Sequence, residues 1–213
     1  MKAPGAAEFV PDQADLDTLR SAIQGCRGCD LYRDATQAVF GDGPSRATVL
    51  LIGEQPGDKE DLQGAPFVGP AGKLLDRALE EAGFDRSMVY LTNAVKHFKF
   101  EERGKQRIHK KPGRTEVVAC RPWLLAEVAR VQPRLIVCLG ATAAQSVLGT
   151  AFRLTKQRGV LVDPGEGDFA GHRVLATIHP SAVLRSRDRD ADYAGLVDDL
   201  RAAVSLAGKV SAR

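Results

Sequence analysis

A chain of 213 residues, 44% hydrophobic and 27% charged, has room for one sizeable core, and that composition excludes disorder and fibrous repeats. Its net charge of +3 is too small by itself to argue for a nucleic-acid partner. No apolar run approaches the ~20 residues of a membrane span, and residues 1–13 lack the apolar core of a secretory signal. One domain over residues 1–213, in the cytoplasm and without a membrane partner, is therefore expected. In that reducing compartment four cysteines suit metal ligation or buried thiols better than disulfides.

Residues 12–24 place Leu16, Leu19 and Ile23 at helical spacing behind an Asp-rich start, and a CRGC turn follows. TVLLIG, residues 48–53, is a short continuous apolar run ending in glycine, the pattern of a parallel strand buried on both faces. A long Gly/Pro loop leads to Leu74, Leu75, Ala78, Leu79 and Ala82 on one helical face, with Gly83 placed to end that helix. The pattern then repeats. MVYLTN (residues 88–93) reads as a strand, residues 97–115 as a basic loop and residues 115–131 as a helix with Glu116 at its N-terminus. RLIVCLG (134–140) is a third buried strand, followed by a helix over 141–148. RVLATIHP (173–180) is a fourth, preceded by a weaker strand near 159–162, and a last helix runs through Tyr193, Leu196, Val197, Leu200 and Val204. This alternation predicts an α/β domain with a central, mainly parallel four-stranded sheet flanked by helices.

Ligands bind outside the carboxyl ends of such strands. Those ends deliver Gly53, Glu54, Gln55, Asn93, Gly140 and His179 to one edge. Charge distribution adds a second signal. Between Lys99 and Arg114, seven cations against two glutamates give +5, which leaves −2 for the rest of the chain. A solvated loop explains such a run, but concentration on one segment of an otherwise acidic protein suits phosphate contact better.

The stretch GEQPGDKEDLQGAPFVGPAGKLLDRAL (53–79), together with LTNAVKH (91–97) and HPSAVLR (179–185), resembles the three active-site segments of the family 4 uracil-DNA glycosylases. The four cysteines also fall where that family keeps its cluster ligands. Two departures, Gln55 in place of a small residue and the longer basic loop with Lys105, Gln106, Arg107, Ile108 and His109, resemble the UdgX branch, which bonds covalently to the DNA it has depyrimidinated. Gln106 stands where that branch has arginine.

From spacing alone, Cys26, Cys29, Cys120 and Cys138 suit buried thiols, zinc or an iron–sulfur cluster. The resemblance implies a [4Fe-4S] cluster held by all four, with a structural role. It also implies a base pocket in which Phe67 stacks on uracil, Asn93 reads its edge, and Gly53 and Gly69 let the backbone approach. His179 would stabilise the departing uracil anion and Glu54 the cationic C1′. His109 would then bond to C1′, with Gln55 in the same catalytic group. Lys105, Arg107 and Arg185 would hold phosphates of uracil-containing DNA, single- or double-stranded, on a monomeric enzyme. Each residue also has a plainer reading: a core Phe67, a turn Asn93, a strand-ending His179, a loop-capping Glu54 and an exposed loop His109. An ordinary water-using glycosylase and a non-catalytic damage-binding protein are the rival functions. A nucleotide-binding module would need a P-loop or GxGxxG after the first strand, and the sequence has neither.

Overall fold

The computed structural model describes residues 4–208; residues 1–3 and 209–213, which the expected domain includes, lie outside the described residues. In chain order the regular elements are α1 (Leu16–Ala22), β1 (Val49–Gly53), α2 (Asp58–Gln63), α3 (Pro70–Ala82), β2 (Val89–Asn93), β3 (Phe100–Arg103), β4 (Gln106–His109) and α4 (Arg114–Val131). They continue with β5 (Leu135–Leu139), α5 (Ala141–Leu148), α6 (Leu154–Gln157), β6 (Leu161–Val162), β7 (Arg173–Thr177), α7 (Pro180–Arg185) and α8 (Arg189–Gly208).

The central sheet has five strands rather than the four expected, in the order β2-β1-β5-β7-β6. The four expected strands are parallel, and β6 pairs antiparallel with β7 at the edge. Two half-buried residues carry little apolar signal, so β6 depends on its neighbour for pairing. Alternation along the strands divides the core. Val49, Leu51, Leu91, Val137 and Leu175 face Leu75 and Leu79 of α3 and Leu196 and Leu200 of α8. Leu50, Ile52, Tyr90, Ile136 and Cys138 face Leu124 and Val128 of α4 and Ala143 and Val147 of α5. Both faces are covered, as an inner parallel sheet requires.

A third apolar cluster lies outside this sandwich, where α1 and the CRGC turn pack on Ala119, Cys120 and Trp123 of α4. The N-terminal segment closes it, with Gly5 N–H donating to Gly28 O (3.0 Å) and Ala6 N–H to Ala119 O (2.8 Å). No helix among the described residues is long and apolar enough to cross a membrane.

The basic segment also differs from expectation. It is a β-hairpin, with Phe100 opposite His109 and Arg103 opposite Gln106, turning at Gly104 with φ of +60°. Its strands are short and mostly polar, so neither shows a run of apolar residues. Pairing, and the anchors described next, hold it.

Candidate active site

The parallel strands end together, and Gly53 of β1 is in register with Asn93 of β2. A Cβ on Gly53 would lie 2.2 Å from Asn93 Oδ1 and 2.7 Å from Phe67 Cζ. Glycine is therefore required there, and the expected base-pocket residues Gly53, Asn93 and Phe67 are brought into mutual contact. Phe67 has φ of +58°, an uncommon conformation for a bulky residue. It is fixed by Gly72, whose hydrogen faces the Phe67 carbonyl so closely that a Cβ would stand 1.6 Å from the oxygen. Glu60, on α2, accepts from Gly69 N–H (2.8 Å) and from Gly57 N–H (3.1 Å), joining the two halves of the glycine-rich segment.

Phe67 and His179 lie face to face, with ring centroids 6.4 Å apart and planes 28° from parallel. Ser181 N–H donates to His179 Nδ1 (3.1 Å), and the Ser181 hydroxyl is also 2.8 Å from Nδ1. Burial, reinforced by the positive charges of Arg185 and His109, pushes the His179 imidazole down to about 4. A neutral ring whose Nδ1 accepts carries its proton on Nε2, so His179 presents a donor to the pocket.

Glu54 follows β1, and its Oε2 accepts from the Thr142 hydroxyl. His109, the last residue of β4, brings Nε2 to 3.6 Å from Glu54 Oε1. Burial holds the His109 imidazole below its ordinary range, opposed by the Glu54 carboxylate and assisted by Arg185. Glu54, Gln55, His109, His179 and Arg185 line one pocket of about 290 Å³.

Gln55 is buried, and its amide engages the hairpin. Nε2 donates to Lys99 O (3.0 Å) and Lys110 O (3.1 Å), while Oε1 accepts from Lys99 N–H (3.3 Å). It touches the backbone on both sides of the hairpin base, next to His109. A second anchor is Arg107, whose Nε donates to Asp58 Oδ1 and Nη1 to the fully buried Asp61, both at 2.6 Å. Its guanidinium also covers the Phe98 and Phe100 rings. Arg107, expected on phosphates, is thus engaged within the protein. Lys105 stands exposed in the hairpin turn.

The chain beyond Asn93 is held from beneath. Lys96 is fully buried, with its ammonium on Glu127 and 2.6 Å from Thr92 Oγ1. Glu127 also accepts from Gly41 N–H (2.8 Å) and the Thr92 hydroxyl, so the buried charges are paired and hydrogen-bonded. This network went unnoticed in the sequence because its partners lie far apart along the chain.

The cysteines divide. Cys26, Cys29 and Cys120 share the third cluster, and negative charge on Cys26 and Cys29 adds to burial in pushing the Cys120 thiol up to about 12. Cys120 Sγ accepts from Lys96 N–H (3.3 Å). Cys138 belongs to the sheet core instead, raised by burial alone. Of the expected four cysteines the structure gathers three: β5 pairs on both sides and turns Cys138 into the α4–α5 face, whereas Cys26 and Cys29 meet Cys120 where the CRGC turn packs on α4. His97, which the sequence reading left unassigned, is buried one residue past the Lys96 amide that meets Cys120. Among the described residues, no three His, Cys, Asp or Glu side chains form a group fitted to one metal ion.

Residues 40–201 match the Uracil DNA glycosylase superfamily. The chain is 37% identical to a type-4 uracil-DNA glycosylase of Pyrobaculum aerophilum over 174 residues, 80% of this chain and 85% of that one. It is 35% identical to the type-4 enzyme of Thermotoga maritima over 82% and 86% of the two chains. With the type-4 enzyme of Archaeoglobus fulgidus it shares 37% identity over 79% and 83%. The pocket of Phe67, Asn93 and His179 at the sheet edge lies within the matched region, and the chain belongs to the uracil-DNA glycosylases, in their type-4 family.

Proposed function

We propose that this glycosylase excises uracil and then bonds His109 to C1′ of the resulting abasic sugar. The uridine is flipped into the pocket, Phe67 stacks on the base, and Asn93 offers a donor and an acceptor to its N3–O4 edge. The glycosidic bond breaks with its electron pair passing to uracil N1, and the Nε2–H of His179 donates to O2 of the departing anion. Glu54, steadied by Thr142, faces the positive charge developing at C1′. The His109 lone pair then forms the C1′–N bond. The ring loses its remaining N–H proton toward Glu54, and uracil takes up a proton from solvent, so charge and atoms balance.

The observation that carries this reading is the placement of His109 Nε2 3.6 Å from Glu54 Oε1, on a hairpin held by Gln55. A neutral imidazole there has a free electron pair. The type-4 relatives favour a second reading, in which water attacks C1′ and the enzyme turns over. Incubation with a uracil-containing oligonucleotide followed by denaturing electrophoresis separates the two. A band at protein-plus-DNA mass supports capture; free uracil with an abasic strand and no such band supports turnover.

The same proposal includes a [4Fe-4S] cluster with a structural role, tying the N-terminal helix to the sheet. Cys26, Cys29 and Cys120 would hold it as thiolates. The neutral imidazole of His97, pushed down to about 4 by burial, would supply the fourth ligand in place of Cys138. The enzyme would act as a cytoplasmic monomer on single- and double-stranded DNA, with Lys105 and Arg185 on phosphates.

A further inference from the structure

A cavity of about 490 Å³ opens between α4 and α5, next to the pocket that holds Glu54 and His109. The two share Lys111 and Thr142, so they adjoin along that wall. Two cations free of ion pairs among the described residues border the α4–α5 cavity. Of the seven cations in residues 99–114, Lys99 is paired with Glu116, Arg103 and Lys110 with Glu101, and Arg107 with Asp58 and Asp61. Among the described residues, Lys105, Lys111 and Arg114 form no ion pair, and the last two border this cavity. Pro112 and Val117 supply apolar wall beside them. On the opposite side Gln145 donates its Nε2 to Phe152 O (3.2 Å), leaving Oε1 to accept.

We propose that this cavity binds the nucleotide adjacent to the target uridine on the same strand. Its phosphate would lie against Lys111 and Arg114, and its base against Pro112 and Val117, with Gln145 at the base edge. The proposal rests on the assignment of DNA as substrate. A polymer with one unit in the catalytic pocket must continue past its rim, and here the rim joins two unpaired cations to an apolar recess, the combination that single-stranded nucleic acid needs. An amphipathic peptide would meet the apolar wall equally well but would have no reason to be continuous with the uridine site.

The test uses the full-length enzyme in excess over single-stranded oligonucleotides carrying uridine at the 5′ end, at the 3′ end or internally. The half-saturating enzyme concentration and the maximal excision rate are measured for the parent, Arg114→Ala and Val118→Glu. Val118 is 57% exposed on this rim, so its replacement leaves the core untouched. In the parent, adding nucleotides on one side of the uridine should lower half-saturation by about tenfold. Both variants should lose that gain while keeping the maximal rate, and should match the parent on the oligonucleotide lacking that side. The proposal is overturned if either variant keeps the gain, or if both weaken all three substrates equally. Absence of excision by the parent on every substrate would instead defeat the assignment of the catalytic site.

Discussion

His109 Nε2 lies 3.6 Å from Glu54 Oε1, too long for a hydrogen bond and close enough for the carboxylate to act on the ring's charge. Burial is the larger influence and lowers the His109 pKa, with Glu54 opposing it. The reactive neutral form therefore extends below the ordinary histidine range near 6.5. Covalent yield should decline as pH drops through the lowered pKa and reach its half-point below that ordinary range. The check is the fraction of crosslinked protein on denaturing gels across pH. A half-yield point above about 6.5 would contradict the burial argument.

Gln55→Ala removes three hydrogen bonds to the hairpin base while leaving the base pocket intact. Capture should fall on the order of tenfold or more, with uracil release less affected. Parallel quantitation of free uracil and crosslinked DNA checks this, and equal losses in both would place Gln55 in the excision step.

Arg107→Ala leaves Asp61 buried without its cationic partner. Loss of about 3 kcal/mol or more of stability is expected, read as a lower midpoint in urea. Lys105→Ala should scarcely change that midpoint but should reduce the slope of log affinity against log salt by about one. A normal midpoint in Arg107→Ala would mean that its ion pairs contribute little.

Asn93→Asp replaces a donor–acceptor amide with an acceptor-only carboxylate at the Gly53 and Phe67 contact. Excision of uracil should weaken by roughly ten- to a hundredfold. An unchanged single-turnover rate would remove Asn93 from base recognition.

The cysteines give a spectroscopic prediction. Cys120→Ser should lose the broad visible absorption and acid-labile sulfide of the proposed cluster, whereas Cys138→Ser should retain both, because Cys138 packs in the sheet core. Loss of absorption in the Cys138 variant with the fold intact by circular dichroism would restore the four-cysteine set.

Much of this protein follows from local pattern. Continuous apolar runs ending in glycine specify β1, β2, β5 and β7, since strands buried on both faces must be apolar throughout, and their carboxyl ends place Glu54, Asn93 and His179 together. What the sequence could not determine are contacts between residues remote in the chain. Arg107 carries the same charge as Lys105, and only the approach of α2, bringing Asp58 and Asp61, decides that one is an internal anchor and the other exposed. Cys120 and Cys138 have seventeen residues between them and nothing local to distinguish them, yet the direction each faces from α4 or β5 puts them in different clusters. The hairpin is similar: its strands are too short and polar for periodicity, and it exists because Gln55 and Arg107 hold it. Covalent neighbours and periodicity set the elements, while the pairing of charges and thiols is settled only when the layers pack.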